Sequence, residues 1–152
     1  MKYSELINLI EEIAPTEAYR EIDNSGPQIR SGAEYIDKIL VCLEINEAVL
    51  AEAVEKEADM ILTHHPLLFT PVSCIDHEEF PGRYIQEVIR NGLCVYSSHL
   101  AFDFADKGNN TYLSILLGLT DIEMGSMEHP WTGMLPERLN FAGACAHVVK
   151  SL

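Results

Sequence analysis

Three short apolar runs constrain this chain more than any other feature: Lys38 to Leu43, Asp59 to Thr63 and Leu93 to Ser97. Nearly continuous runs of this length have the pattern of strands covered on both faces. Helix-patterned segments stand between them. Glu47 to Lys56 spaces Ala48, Val49, Ala51, Ala53 and Val54 for packing, and a second helix runs from about Arg83 to Asn91, with Gly92 in the position that closes it. Strand, helix, strand, helix, strand with short connections predicts an α/β fold whose mostly parallel sheet is flanked by helices.

The rest of the chain is read around that unit. Leu6, Ile7, Leu9, Ile10 and Ile13 share one face of a helix that Pro15 stops. Glu21 to Gln28 is dense in turn formers and is expected to be irregular. Asn109 to Leu117 resumes a helix capped by Gly118. From Thr120 the pattern decays: Met124 to Pro136 is loop-like, and Asn140 to Leu152 predicts a final helix. There are no internal repeats, and 152 residues suit one domain of ordinary size, so 1–152 is expected to be a single α/β domain.

Ten Lys and Arg against 24 Asp and Glu give a net charge of −14. Phosphate backbones are held by clustered cations, and here Lys38, Lys56, Arg83, Arg90 and Lys107 stand singly, which argues against direct nucleic-acid binding. The acidity reads as solvated helix faces, or as a field that attracts cations. No apolar run approaches the ~20 residues of a membrane span, and the first residues turn acidic at once with no secretory pattern. Four cysteines lie far apart with no Cys-x-x-Cys. Those at 42, 94 and 145 fall in apolar runs and are expected to be buried thiols in a reducing cytoplasm.

Open α/β sheets collect their chemistry at the carboxyl ends of strands. His64 and His65 follow the second strand, and His99 with Asp103 follows the third. Imidazoles and a carboxylate converging at one sheet edge suggest a transition-metal site. Side chains at adjacent strand positions point to opposite faces, so His64 and His65 are expected to serve two different ions, provided the strand turns out at Pro66. Asp103 offers two oxygens to bridge them, and two ions about 3.5–4 Å apart form a known hydrolytic arrangement. His77 and His129 lie in polar loops and read as surface residues, and His147 reads as a satisfied core or interface histidine.

The run Ala58-Asp-Met-Ile-Leu-Thr-His-His-Pro-Leu-Leu-Phe69 resembles the signature of the NIF-three-like dinuclear metal-centre family, whose members are often named GTP cyclohydrolase I type 2 homologues. Asp23-Asn24-Ser25-Gly26-Pro27-Gln28 resembles the family's Trp-Asp-Asn-x-Gly-Leu-Gln segment, with Ile22 in place of Trp and Pro27 in place of Leu. Val95 to Asp103 resembles its His-x-x-x-Asp segment, and Gly108-Asn109-Asn110 stands where the family has Gly-x-Asn. The similarity runs from about Ser4 to Leu119 and thins after it.

The resemblance implies one half of a duplicated α/β fold and a homohexameric ring. It implies a two-metal site on His64, His65 and Asp103, with His99 ligating or orienting; imidazole and carboxylate ligands suit divalent Zn, Fe, Mn, Ni or Co alike, and in a hydrolase His99 would act as general acid or base. It also implies a further His and Glu from a late His-x-x-x-Glu segment that nothing here matches: four residues after His147 stands Ser151. The chain therefore reads as carrying half of a metal site. Three functions compete: a metal-dependent hydrolase of a nucleotide-like small molecule, a metallochaperone without turnover, and an interaction module with a protein partner.

Overall fold

The computed structural model describes residues 1–152. Its contacts gather into two compact units, Met1–Phe102 and Asp103–Leu152. The chain contains no helix long and apolar enough to cross a membrane.

The first unit is built on a four-stranded sheet. β1 (Gly26–Ile29), β2 (Ile39–Cys42), β3 (Met60–Thr63) and β4 (Cys94–Ser97) lie in the order β1-β4-β3-β2. β2, β3 and β4 are parallel, as the strand–helix alternation predicts, and β1 runs antiparallel to β4. Helices α1 (Tyr3–Ile13), α2 (Glu47–Glu55) and α3 (Gly82–Arg90) accompany the sheet, and a short α4 (Leu100–Asp103) follows β4. Asn46 starts α2 by accepting the Val49 N–H at 3.0 Å. Gly92, at φ +68°, closes α3 in the left-handed conformation that an L side chain adopts only with strain.

Alternation along the central strands divides the core. Ile61 and Val95 pack with Leu50, Ala53, Ile85 and Val88 from α2 and α3. Met60, Cys94 and Tyr96 pack on the other face with Tyr3 and Ile36, against which Leu6, Ile7 and Ile10 of α1 lie half-buried. Both faces of β3 and β4 are thus covered. β2 differs from expectation. It is an edge strand whose Leu40 and Cys42 turn inward while Val41 stays 71% exposed. The α1 stripe is also narrower than its sequence suggests, since Leu9 and Ile13 face solvent. Of the thiols expected to be buried, only Cys94 is; Cys42 is half-buried and Cys145 exposed, as is Cys74.

A polar network ties α1 to the sheet. The buried Tyr96 hydroxyl donates to Glu11 Oε1 at 2.8 Å, and Glu11 also accepts from the Thr16 N–H and hydroxyl. Burial alone would raise the Glu11 carboxyl, but these donors and the charge of Arg20 outweigh it and hold it below the usual range. Burial, and then the bond to Glu11, push the Tyr96 phenol up. The depressed carboxylate contributes stability above the ordinary Glu pKa, lost as pH falls through its folded value. The raised phenol contributes stability below about pH 10, lost as pH rises beyond it. Tyr96→Phe is therefore expected to cost about 1.5–3 kcal/mol near neutral pH, the size of a hydrogen bond to a charged group. Urea unfolding should show that difference shrinking toward both acid and alkaline ends; a pH-independent difference would mean the network carries no linkage.

The second unit holds α5 (Asn109–Leu116), an antiparallel pair β5 (Thr120–Glu123) and β6 (Thr132–Met134), and α6 (Phe141–Ser151). The two helices fall where their periodicity predicts, and the Asn140 side chain caps α6 at the Gly143 N–H. The strand pair overturns the expectation that the pattern simply decays after Thr120. Its strands are too polar and too exposed to announce themselves. β1 corrects the sequence reading in the same way: Gly26 and Pro27, expected to be irregular, pair with Ser97 and Tyr96, and the register slips at Gln28 before Ile29 meets Val95.

Candidate functional site

β3 ends at Thr63, and the next two residues leave the strand in a bend. The His64 N–H donates to the Cys42 carbonyl at 3.2 Å, and the His65 N–H to the Leu43 carbonyl at 2.8 Å. The Ser97 hydroxyl donates to the His64 carbonyl at 2.7 Å. These bonds fix both histidines at the carboxyl edge of the sheet. Because the strand has already ended, the alternation that would send the two rings to opposite faces does not apply. Their centroids lie 5.1 Å apart, and those of His64 and His99 5.2 Å. One ligating nitrogen from each of His64, His65 and His99 falls within 4.8 Å of the others.

Two carboxylates orient this cluster: Asp23, known from sequence only as part of the family-like segment and given no role there, and Glu44, which no sequence motif marks. Asp23 Oδ1 meets His99 Nδ1 at 2.9 Å, with the Asp23 side chain wholly buried. Asp23 Oδ2 accepts from the Ser25 hydroxyl and, at 3.2 Å, from the Leu100 N–H. Burial would raise the Asp23 carboxyl, but the bonds from Ser25, His99 and Leu100 outweigh it and hold it below the usual range. An ionised carboxylate can only accept, so Nδ1 of His99 carries the proton and Nε2 is the nitrogen left for a ligand. Glu44 stands in the same relation to His65, its Oε2 lying 3.2 Å from Nδ1, but at the surface.

The motif around Asp23 is a clamp. The Asn24 amide donates to the Leu68 carbonyl, Gln28 Nε2 to the Asn24 carbonyl at 2.6 Å, and the Leu68 N–H to Gln28 Oε1 at 3.0 Å. The Ser25 hydroxyl also receives the His99 N–H at 3.1 Å. Asn24 and Gln28 thus lock the β1 entrance to the loop that follows His65, while Asp23 and Ser25 lock it to His99 and Leu100.

Asp103 ends α4, four residues after His99, and opens the second unit. Its Oδ1 accepts from Asn109 at 2.9 Å and its carbonyl from the Asn110 side chain at 2.8 Å, which ties it to the start of α5. His77 and His129 are exposed. His147 Nε2 bonds the Leu117 carbonyl at 2.8 Å, the satisfied histidine its surroundings suggest.

The donor set is chemically suited to a divalent transition metal. Three imidazoles converge, and two have the second ring nitrogen tied to a carboxylate, the usual support of metal-bound histidine. Their spacing suits one ion after a small inward movement of the rings, or two ions about 3.5–4 Å apart.

The sequence model described as Duf34/NIF3 (NGG1p interacting factor 3) matches residues 1–152. The chain belongs to the Duf34/NIF3 family. A "GTP cyclohydrolase 1 type 2 homolog" of Clostridium perfringens is 41% identical over 118 residues, covering 78% of this chain and 45% of that protein. A solved Bacillus cereus protein related to NIF3 superposes with a TM-score of 0.75 at 32% identity, covering 81% of this chain and 34% of its own. Reduced HcgD from Methanocaldococcus jannaschii superposes with a TM-score of 0.85 at 26% identity, covering 99% of this chain and 60% of its own. This NIF3 chain therefore spans less than half of its C. perfringens relative, and its α/β architecture corresponds to a part of the longer family members.

Proposed function

We propose that this NIF3 chain is a metal-binding protein in which His64, His65 and His99, with Asp103 as the carboxylate ligand, hold divalent transition-metal ions for hydrolysis of a nucleotide-like small molecule. The observation that carries this reading is the convergence of three imidazoles, His99 held in one tautomer by the buried Asp23 and His65 standing beside the exposed Glu44. Bound ions would supply a water of lowered pKa as nucleophile. The chain's own contribution is orientation: Asp23 fixes the His99 ring, and Ser97 and the sheet edge fix His64. The reading includes two ions, a cytoplasmic setting and the homohexamer that the family resemblance implies, the last testable by sedimentation equilibrium.

Turnover is tested by incubating metal-loaded protein with GTP and with simpler phosphate esters and following product by chromatography. Hydrolysis that disappears in Asp103→Ala, with the fold retained, supports the hydrolase. A second reading is favoured by the exposure of His65 and Glu44: donors open to solvent suit an ion that is passed on. Metal transfer to an apo acceptor without any turnover would select that reading.

A further inference from the structure

β2 is an edge of the four-stranded sheet, so its outer side has no strand partner. The Met60 and His64 N–H groups reach the Lys38 and Cys42 carbonyls, at 3.3 and 3.2 Å, so the even-numbered residues here bond to β3. In a parallel pair the alternate residues point the other way, and Ile39 and Val41 therefore present their N–H and C=O at the open edge. The neighbouring side chains are also bare: Val41 is 71%, Leu43 60% and Ile39 36% exposed. Edge strands are commonly guarded by a lysine, a proline or a bulge. Ile39–Cys42 has none of these.

The charges at the two ends of this segment say what fits it. Lys38-Ile-Leu-Val-Cys-Leu-Glu44 is self-complementary about Val41. Turned antiparallel about a twofold axis at Val41, two copies set Val41 against Val41, Ile39 against Leu43, and Lys38 against Glu44. A neighbouring axis breaks the match. At Leu40 it sets Lys38 against Cys42 and Glu44 against Ile36; at Cys42 it sets Glu44 against Leu40 and Lys38 against Asn46. Lys38 and Glu44 are both exposed. The bonds they already make, to the Lys56 carbonyl and to His65 Nδ1, leave further N–H groups on the ammonium and a second oxygen on the carboxylate.

We infer that β2 strands from two copies of this chain pair antiparallel about Val41 and join their sheets into one. Val41 exchanges both backbone bonds with its counterpart. Ile39, Val41 and Leu43 of each copy line one face of the contact, and Lys38–Glu44 pairs at its rim fix the register. A strand contact this small suits a dimer of roughly micromolar affinity. The inference is independent of the proposed metal chemistry; to the proposed hexamer it gives one twofold contact.

Sedimentation equilibrium of the full chain in chelator, from about 1 to 500 µM, is expected to show reversible self-association. Val41→Lys sets two ammonium groups together on the axis and should raise the dissociation constant at least about 100-fold. Lys38→Glu and Glu44→Lys each place like charges opposite one another and should raise it about tenfold. Combined, they should return it to near the wild-type value. All are exposed positions, and circular dichroism checks that the fold is kept. Register is read separately, with Cys42, Cys74 and Cys145 replaced by serine. Val41→Cys is then expected to form an intermolecular disulfide under mild oxidation, whereas Ile39→Cys, placed opposite Leu43, is not. A monomer at every concentration would leave the edge to a strand of some other chain and overturn the inference. So would an assembly that Val41→Lys leaves intact, or no rescue by the double charge reversal. A hexamer untouched by these changes would keep the proposed assembly and sink this contact; a dimer that goes no further would do the reverse.

Discussion

Asp23→Asn is expected to leave the fold intact and to weaken divalent-metal binding by about 10–100-fold, the usual cost of losing an outer-shell carboxylate. The replacement keeps the shape but puts an NH₂ among groups that all donate. At Oδ2 two donors arrive, Ser25 and the Leu100 N–H, whereas at Oδ1 only His99 does. The amide therefore keeps its oxygen toward the pair and turns its nitrogen to His99 Nδ1. That imidazole must then accept at Nδ1 and carry its proton on Nε2, the nitrogen it needs for a metal. Long-range ¹H–¹⁵N correlation spectra of the apo protein would show the tautomer reversed. Unchanged tautomer and unchanged affinity would mean Asp23 is only a packing residue. Asp23→Ala is a poorer test, since it leaves three donors buried without an acceptor, at about 1–3 kcal/mol each.

His65→Ala should lower metal affinity further, by roughly 100- to 1,000-fold. Structural zinc sites of four ligands are worth about 10–16 kcal/mol, so one ligand accounts for ~2.5–4 kcal/mol. His65 is the cleanest of the three to remove, because it is half exposed and its partner Glu44 is at the surface, so neither leaves a buried charge behind. Glu44→Gln, by contrast, should change affinity less than about threefold, since a solvated carboxylate constrains its partner weakly. The contrast between Asp23 and Glu44 separates burial from mere proximity. Isothermal titration with Zn²⁺ or Co²⁺ reads both, and equal effects of the two carboxylates would contradict the geometry.

The central strands were legible in the sequence because burial on both faces leaves a continuous apolar run, and β3 and β4 are covered on both faces. The same signal misled at Ile39–Cys42, where an edge strand carries the same apolar string with one face open. β1 was hidden because glycine, proline and glutamine open it and its partner lies far along the chain. The histidines could be found from their places after strands. Asp23 could not, because its bond to His99 joins residues 76 apart and exists only once β1 has paired with β4. Local pattern shows which residues end a strand; it does not show which distant carboxylate will stand behind an imidazole.

Metal content per chain, by elemental mass spectrometry on untagged protein loaded with excess Zn²⁺ or Co²⁺ and desalted, tests the central claim most directly. The account expects at least one tightly held ion per chain, approaching two where all ligands are engaged, and its loss when His64, His65 and His99 are replaced together. No retained metal in the wild-type protein, or the same content in the triple variant, would show that the histidine cluster is not a metal centre.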